Sequence, residues 1–293
     1  MLIMSKLYEK LLNHDYSPDE MGESIAEAIK ATGSVERAPL LKEIFSFIDL
    51  TSLNTQDGNG SIRSFAERTA HFRYNFSGIS NVAALCVYPN FVNVAKEGLA
   101  DSGVKLAVVS ASFPTSQTFT EVKVLETSLA VRMGADEIDV VIPVGTFLEG
   151  AWDQVIDELK AIRGAAGDTT LKIILETGLL KDERNIFRAS IIAMESGADF
   201  IKTSTGKVSV SATPEAAWVM CCAIRDYYNE TGIMIGFKPA GGIVTPDDAL
   251  VYYFIVRNVL GQKWLSPEYF RIGASRLANN ILSELYPGKP AYF

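Results

Sequence analysis

Short, nearly continuous apolar runs recur along this chain, separated by longer stretches with helical patterning. That alternation constrains the fold more than any other feature. The runs are 44–50 (IFSFIDL), 83–89 (AALCVYP), 105–111 (KLAVVSA), 137–143 (EIDVVIP), 171–177 (LKIILET), 200–206 (FIKTSTG), 234–240 (MIGFKPA) and 269–275 (YFRIGAS). Several are rich in Val, Ile and Leu throughout, as expected for parallel strands covered on both faces. Strands alternating with helices describe repeated βα units. About eight units over 44–288 approach the roughly 250 residues of a (β/α)8 TIM barrel. A doubly wound open sheet is the rival architecture, but no G-x-G-x-x-G follows the first run.

The segments between the runs carry helix signals. Thr213-Pro214-Glu215 and Thr245-Pro246-Asp247-Asp248 each place a capping residue before a proline at a first helical turn. Met133-Gly134-Ala135-Asp136 and Ser196-Gly197-Ala198-Asp199 close two helices with glycine and lead straight into strands. This Gly-Ala-Asp recurrence is a weak internal repeat. Residues 1–40 read as an N-terminal helical extension, with helices over Lys6 to Leu12 and Pro18 to Thr32; residues 41–293 read as the barrel and a C-terminal tail.

The chemical signal is a lysine within an apolar strand, twice. Lys202 stands in Phe200-Ile201-Lys202-Thr203 and Lys238 in Gly236-Phe237-Lys238-Pro239. Lysine is rarely buried, and low dielectric pushes its pKa down. A barrel places its chemistry at the C-terminal ends of its strands, and adjacent strands lie roughly 4.8 Å apart. Two ammonium groups that close repel, so one is expected to be neutral near neutral pH. A neutral amine attacks a carbonyl to form a carbinolamine and then a Schiff base. The alternative, a head group snorkelling to water at the rim, suits one such lysine better than two on neighbouring strands. Asp139 interrupts the run 137–143; buried, it needs cationic partners, and beside the lysines it can shuttle protons. Asp49 breaks the first run similarly and is a supporting candidate, with packing or orientation as its simpler reading.

Gly206-Lys207, Gly241-Gly242 and Gly273-Ala274-Ser275 follow the sixth, seventh and eighth runs. Glycines there let backbone N–H groups form an anion-binding concavity, in the region where barrels often bind phosphate. Cys86 lies near a strand end and reads either as pocket lining or as a small buried hydrophobe; Cys221 and Cys222 read as core.

Composition removes other classes. The net charge of −8 and pI near 5.0 argue against a general nucleic-acid footprint. Three cysteines, two of them adjacent, give neither a metal spacing nor a disulfide framework. Only His14 and His71 are present, so no multi-histidine metal site or Ser-His-Asp arrangement is expected. No secretory leader and no apolar run long enough for a membrane span is evident, which makes a cytoplasmic protein the expectation.

The segments that carry these signals resemble deoxyribose-phosphate aldolases over most of residues 44–283. They are Asp49-Leu50-Thr51-Ser52-Leu53-Asn54, Cys86-Val87-Tyr88-Pro89, Gly134-Ala135-Asp136-Glu137-Ile138-Asp139-Val140-Val141, Glu176-Thr177-Gly178, Gly197 through Lys207, Gly236 through Gly242 and Phe270 through Ser275. The resemblance implies reversible cleavage of 2-deoxy-D-ribose 5-phosphate to D-glyceraldehyde 3-phosphate and acetaldehyde, without metal or organic cofactor. It implies that Lys202 forms the Schiff base, Lys238 perturbs it and Asp139 relays protons. Substrate and phosphate contacts are then expected from Thr51, Cys86, Thr205, Gly206, Lys207, Gly241, Gly242, Gly273, Ser275 and Arg276. A phosphorylated sugar, a small aldehyde and further copies of the same chain (a dimer or tetramer) are the expected partners.

Three positions depart from the pattern. Val244 stands where some members carry arginine, Arg276 where they often carry serine, and Tyr292 one place short of a C-terminal tyrosine that assists proton transfer in some members. Arg276 is therefore a candidate replacement for the missing positive charge. Two other readings compete: a Schiff-base aldolase or transaldolase with a different donor, and a barrel that binds sugar phosphates without catalysis. The paired lysines with Asp139 favour the aldolase, because binding alone needs no neutral buried amine.

Overall fold

The computed structural model describes residues 17–293. Each of the eight apolar runs overlaps one strand: β1 Ile48–Thr51, β2 Ala84–Val87, β3 Lys105–Val109, β4 Glu137–Val141, β5 Thr170–Ile174, β6 Phe200–Lys202, β7 Gly236–Lys238 and β8 Ile272–Ala274. All are parallel neighbours in the order β7-β6-β5-β4-β3-β2-β1-β8. Parallel bridges from Phe237 to Phe270 and from Ala240 to Gly273 bring β7 against β8, so the sheet closes on itself. The strands are shorter than the apolar runs. Residues 44–45, for example, end a helix, Arg37–Phe45, rather than begin β1.

The helices form the outer layer: α1 Pro18–Thr32, α2 Arg37–Phe45, α3 Asn59–Ala70, α4 Phe72–Asn75, α5 Val92–Leu99, α6 Thr120–Met133, α7 Val144–Leu148, α8 Trp152–Ala166, α9 Glu183–Glu195, α10 Pro214–Thr231, α11 Pro246–Val259 and α12 Arg276–Leu285. Their ends follow local chemistry. Thr213 and Thr245 accept hydrogen bonds from Ala216 N and Asp248 N at the starts of α10 and α11. Gly134 ends α6 with φ +103°, a left-handed conformation that glycine adopts without steric cost. The helix expected at Pro18–Thr32 has those bounds and buries Ile25 and Ala28 against the outside of the barrel. The helix expected at Lys6 to Leu12, like His14, lies outside the described residues. Among the described residues, no helix is long and apolar enough to cross a membrane.

Alternation along the strands separates two environments. Ile48, Leu50, Ile138, Val140, Ile173 and Ile201 join the large core between sheet and helices. The alternate residues point into the barrel. On β2 and β3 they are small and apolar (Ala84, Cys86, Ala107, Val109) and form a separate cluster with Leu53. On β1 and β4–β7 the corresponding positions carry Asp49, Glu137, Asp139, Lys172, Lys202 and Lys238, all buried. Small residues on one side of the lumen thus leave room for long charged ones on the other.

Candidate active site

Strand register brings the two lysines together. Lys202 of β6 pairs with Lys238 of β7, so both side chains leave the sheet on the same face at the same level. Just beyond, Thr203 clamps the two strand ends, its Oγ1 accepting from Ala240 N at 2.9 Å and donating to Ala240 O at 3.2 Å. Two glycines make the space. A Cβ on Gly273 would lie 2.7 Å from Ala240 Cβ and 3.3 Å from Lys238 Cε; one on Gly236 would strike the Phe200 ring at 2.3 Å.

Asp139 sits between the lysines. Its Oδ2 accepts from Lys202 Nζ and from Lys238 Nζ, each at 2.7 Å, and its Oδ1 accepts from Lys172 Nζ at 2.8 Å. Lys238 also donates a hydrogen bond to Asp49 Oδ2. Beneath them, Lys172 Nζ lies 2.6 Å from Glu137 Oε2, and Arg271 bridges Asp49 Oδ1 at 2.7 Å and Glu137 Oε1 at 2.8 Å. Four basic side chains therefore face three carboxylates, all seven of them buried. Fully ionised, the lattice has one positive charge left over, and an uncompensated buried charge is costly.

The lattice places that cost on Lys202. Burial pushes its pKa down; Asp139 opposes the shift and Lys238 reinforces it, and the net value falls below that of an ordinary lysine. Burial acts on Lys238 in the same direction, but Asp139 and Asp49 outweigh it and hold this ammonium above its ordinary value. Lys172 is likewise held protonated, by Asp139, Glu137 and Asp49. Burial alone would raise the Asp139 pKa; Lys172, Lys202 and Lys238 together keep it well below the usual carboxylate range. Asp49 is depressed in the same way by Lys238, Lys172 and Arg271.

Above Lys202 opens a cavity of about 300 Å³. Its wall contains Thr51, Thr205, Gly206, Lys207, Gly241, Gly242, Gly273, Ser275 and Arg276, together with Val244. Of the expected contact residues, only Cys86 is absent from this wall. It is fully buried in the apolar side of the lumen, and burial pushes its thiol pKa up. Gly206, Gly241 and Gly242 have φ of +75°, +83° and +82°. A Cβ on Gly241 would lie 2.6 Å from the Ser211 side chain. Ser275 and Arg276 open α12 at the cavity, where backbone N–H groups and the helix dipole favour an anion. Asp139, Asp49 and Lys238 lie behind Lys202, outside the wall.

Tyr292 is not brought to the cavity. Its hydroxyl donates to Arg68 O at 2.8 Å and accepts from Asn75 Nδ2 at 3.1 Å, while its ring packs edge-on against Phe72 and Phe76. Asn279 anchors this tail, accepting from Tyr292 N and Phe293 N.

Lys172, Glu137, Arg271 and Glu176 are the site residues that sequence reasoning passed over. Lys172 interrupts its apolar run as Lys202 does, and Glu137 precedes Asp139 by the strand period of two, so that signal was present. Glu176, buried with φ +57°, accepts from Thr205 N at 3.2 Å and Thr205 Oγ1 at 2.6 Å. It ties the end of β5 to the cavity loop after β6, and burial raises its pKa.

Comparison with known proteins finds aldolases. The human deoxyribose-phosphate aldolase is 43% identical over 276 residues, covering 89% of this chain and 86% of that protein. The mouse deoxyribose-phosphate aldolase is 41% identical with the same coverage. The fold is shared with a deoxyribose phosphate aldolase from Aeropyrum pernix of unique tetrameric structure, with a TM-score of 0.64 at 23% identity over 92% of this chain and 99% of that one. The model of the DeoC/LacD family aldolases matches residues 48–255, from β1 into α11 and across every lattice residue except Arg271, and the chain belongs to that family.

Proposed function

We propose that this aldolase cleaves 2-deoxy-D-ribose 5-phosphate reversibly to D-glyceraldehyde 3-phosphate and acetaldehyde through a Schiff base on Lys202. The observation that carries the reading is the single-sided support of Lys202. It shares one carboxylate oxygen with Lys238 and, among the described residues, has no ion pair with a second carboxylate, while it alone among the lattice bases faces the cavity.

The chemistry follows from that arrangement. Uncharged Lys202 Nζ adds to the C1 aldehyde of the open-chain sugar, giving a carbinolamine. Asp139, supplied with protons by Lys238, protonates the departing hydroxyl, and water leaves to give the iminium. Loss of the proton from the 3-hydroxyl lets the C2–C3 bond break, its electron pair passing to the iminium nitrogen. The products of that step are D-glyceraldehyde 3-phosphate and an enamine. Protonation of the enamine at C2 and hydrolysis of the imine release acetaldehyde and restore the amine. The iminium is the electron sink, the role a metal ion plays in other aldolases. The phosphate is taken by the loops at Gly206, Gly241–Gly242 and Gly273–Ser275, with Lys207 and Arg276 supplying charge.

Borohydride reduction in the presence of acetaldehyde, followed by intact mass and peptide mapping, tests the nucleophile and the two-carbon donor together. An ethyl adduct on Lys202 that is missing from folded Lys202→Ala is the expected result. An adduct on Lys238 would reverse the lysine roles, and no adduct on either would end the Schiff-base reading.

A further inference from the structure

Six of the seven lattice charges form a closed ring of alternating sign. Arg271 Nη1 donates to Asp49 Oδ1 at 2.7 Å, and Asp49 Oδ2 accepts from Lys238. Lys238 donates to Asp139 Oδ2 at 2.7 Å, and Lys172 donates to Asp139 Oδ1 at 2.8 Å. Lys172 Nζ lies 2.6 Å from Glu137 Oε2, and Glu137 Oε1 accepts from Arg271 Nη2 at 2.8 Å, which closes the ring. Lys172 also lies 3.5 Å from Asp49 Oδ2 across it. Three cations and three carboxylates are matched in this way, each between two partners of opposite sign. Lys202 is outside the ring. It donates to Asp139 Oδ2 from the cavity side, a seventh charge set against six that already balance.

Arg271 differs from the other members in two ways. A guanidinium does not lose its proton in proteins; burial opposes this charge, but Asp49 and Glu137 outweigh burial and raise its pKa. It also lies away from the substrate. Arg271 lines a separate cavity of about 450 Å³, beside Pro267 and the start of β3, and not the cavity above Lys202. Arg73, Lys105 and Glu268 line that second cavity too, all three exposed to solvent. Around Lys202 the remaining titratable groups leave the count unchanged. Cys86 is a thiol whose pKa burial raises. Glu176 is hydrogen-bonded by Thr205 and, among the described residues, has no ion pair with the ring. Lys207 and Arg276 are exposed on the cavity wall.

We propose, on the reading of Lys202 as the nucleophile, that Arg271 is a positioning residue for the aldol reaction. By closing the ring it satisfies Asp49 and Glu137 without Lys202, and so leaves the Lys202 amine free to attack. Without Arg271 the ring holds two cations against three carboxylates. A buried carboxylate in excess is costly, and Lys202, already bonded to Asp139, is drawn in as the third cation. The nucleophile is thus kept uncharged from the far side of the barrel by a residue that touches neither it nor the substrate cavity.

Deuterium exchange into the methyl group of acetaldehyde, followed by NMR over a pH series, tests this. Exchange passes through the iminium and its enamine, and acetaldehyde does not itself titrate in the range. Arg271→Gln should move the acid limb up by about one pH unit, the low end of the range for a nearby charge. Glu137→Gln leaves three cations against two carboxylates and should move the limb down. The R271Q/E137Q variant, balanced again with two of each, should return it to the wild-type position. Arg271→Lys, which keeps the charge and loses the fork, should leave it there as well. Limbs that stay in place, or that move the same way for Arg271→Gln and Glu137→Gln, would overturn the role of Arg271. If Arg271→Gln does not fold, a Glu137→Gln limb at or above the wild-type position overturns it alone. Borohydride trapping with acetaldehyde on the same proteins separates the two failures. An adduct on Lys202 with unmoved limbs refutes the ring, whereas a wild type without that adduct refutes the nucleophile.

Discussion

Lys202 Nζ and Lys238 Nζ donate to one and the same oxygen, Asp139 Oδ2, each from 2.7 Å. The difference between them lies beyond that oxygen. Lys238 has Asp49 as a second carboxylate, whereas Lys202 has the cavity. One lysine is thus stabilised as a cation and the other is left to lose its proton, which divides the roles of two chemically identical side chains.

Replacing Lys238 with methionine removes the cation whose repulsion helps lower the Lys202 pKa. The acid limb of the kcat/KM profile, which reports groups of the free enzyme, is expected to move to higher pH. Activity at neutral pH should fall by about 10²-fold or more, the scale of general acid–base catalysis. A pH–rate series on wild type and Lys238→Met measures both, and an acid limb that stays in place would show that Lys238 does not tune Lys202.

The lattice makes stability depend on pH in a defined direction. Asp49 and Asp139 have folded pKa values below their unfolded ones. Their contribution is complete above the unfolded value of about 3.9 and is lost as pH falls through the folded values. Lys172 and Lys238 have raised folded values. Theirs is complete below about 10.4 and is lost as pH rises through the folded values. Lys202 is the reverse: its folded pKa is lowered, so stability rises with pH between that value and about 10.4. Urea midpoints should climb as pH rises through this window for the wild type by more than for Lys202→Met.

Removing Lys172 instead strands Glu137 and Asp139 in the barrel without their common cation. Breaking such a buried pair costs about 3–5 kcal/mol, so Lys172→Met should unfold at markedly lower urea than Lys202→Met, which is expected to be inactive but no less stable at neutral pH. Equal midpoints for the two variants would mean that the lower layer of the lattice bears no structural role.

At the phosphate end, Arg276→Ala should raise KM for 2-deoxyribose 5-phosphate about tenfold, the order expected for losing one hydrogen bond to a charged group. The KM for unphosphorylated 2-deoxyribose should not change. Steady-state kinetics with both sugars decides it, since equal effects would place Arg276 outside phosphate recognition.

Thr205→Val deletes the hydroxyl that donates to Glu176 and accepts from Lys207 N at 3.0 Å. Leaving Glu176 with fewer donors costs about 1–3 kcal/mol and loosens the loop that carries Gly206 and Lys207. The expected signature is a higher KM for the phosphorylated sugar with the acetaldehyde adduct on Lys202 still forming. Loss of that adduct in folded protein would instead tie Thr205 to the amine.

The alternation of apolar runs with capped helices determined the barrel, because strand and helix periods are local properties written in consecutive residues. Lys202 and Lys238 were legible for the same reason: an ammonium in an apolar strand is anomalous wherever that strand goes. The glycines of the cavity loops were legible too, since their backbone freedom is intrinsic. What only the tertiary structure decided is who neutralises whom. In the sequence Lys172 and Arg271 are single polar interruptions of their runs; strand register sets Lys172 opposite Asp139, and closure of β8 on β1 brings Arg271 to Asp49. The placement of Tyr292 on the α3–α4 side was equally invisible, and only the fold chose between the two readings of Cys86, setting it among the small buried apolar residues behind the cavity wall. Coulomb energies and burial depend on distances between strands far apart in sequence, and those distances exist only once the barrel has closed.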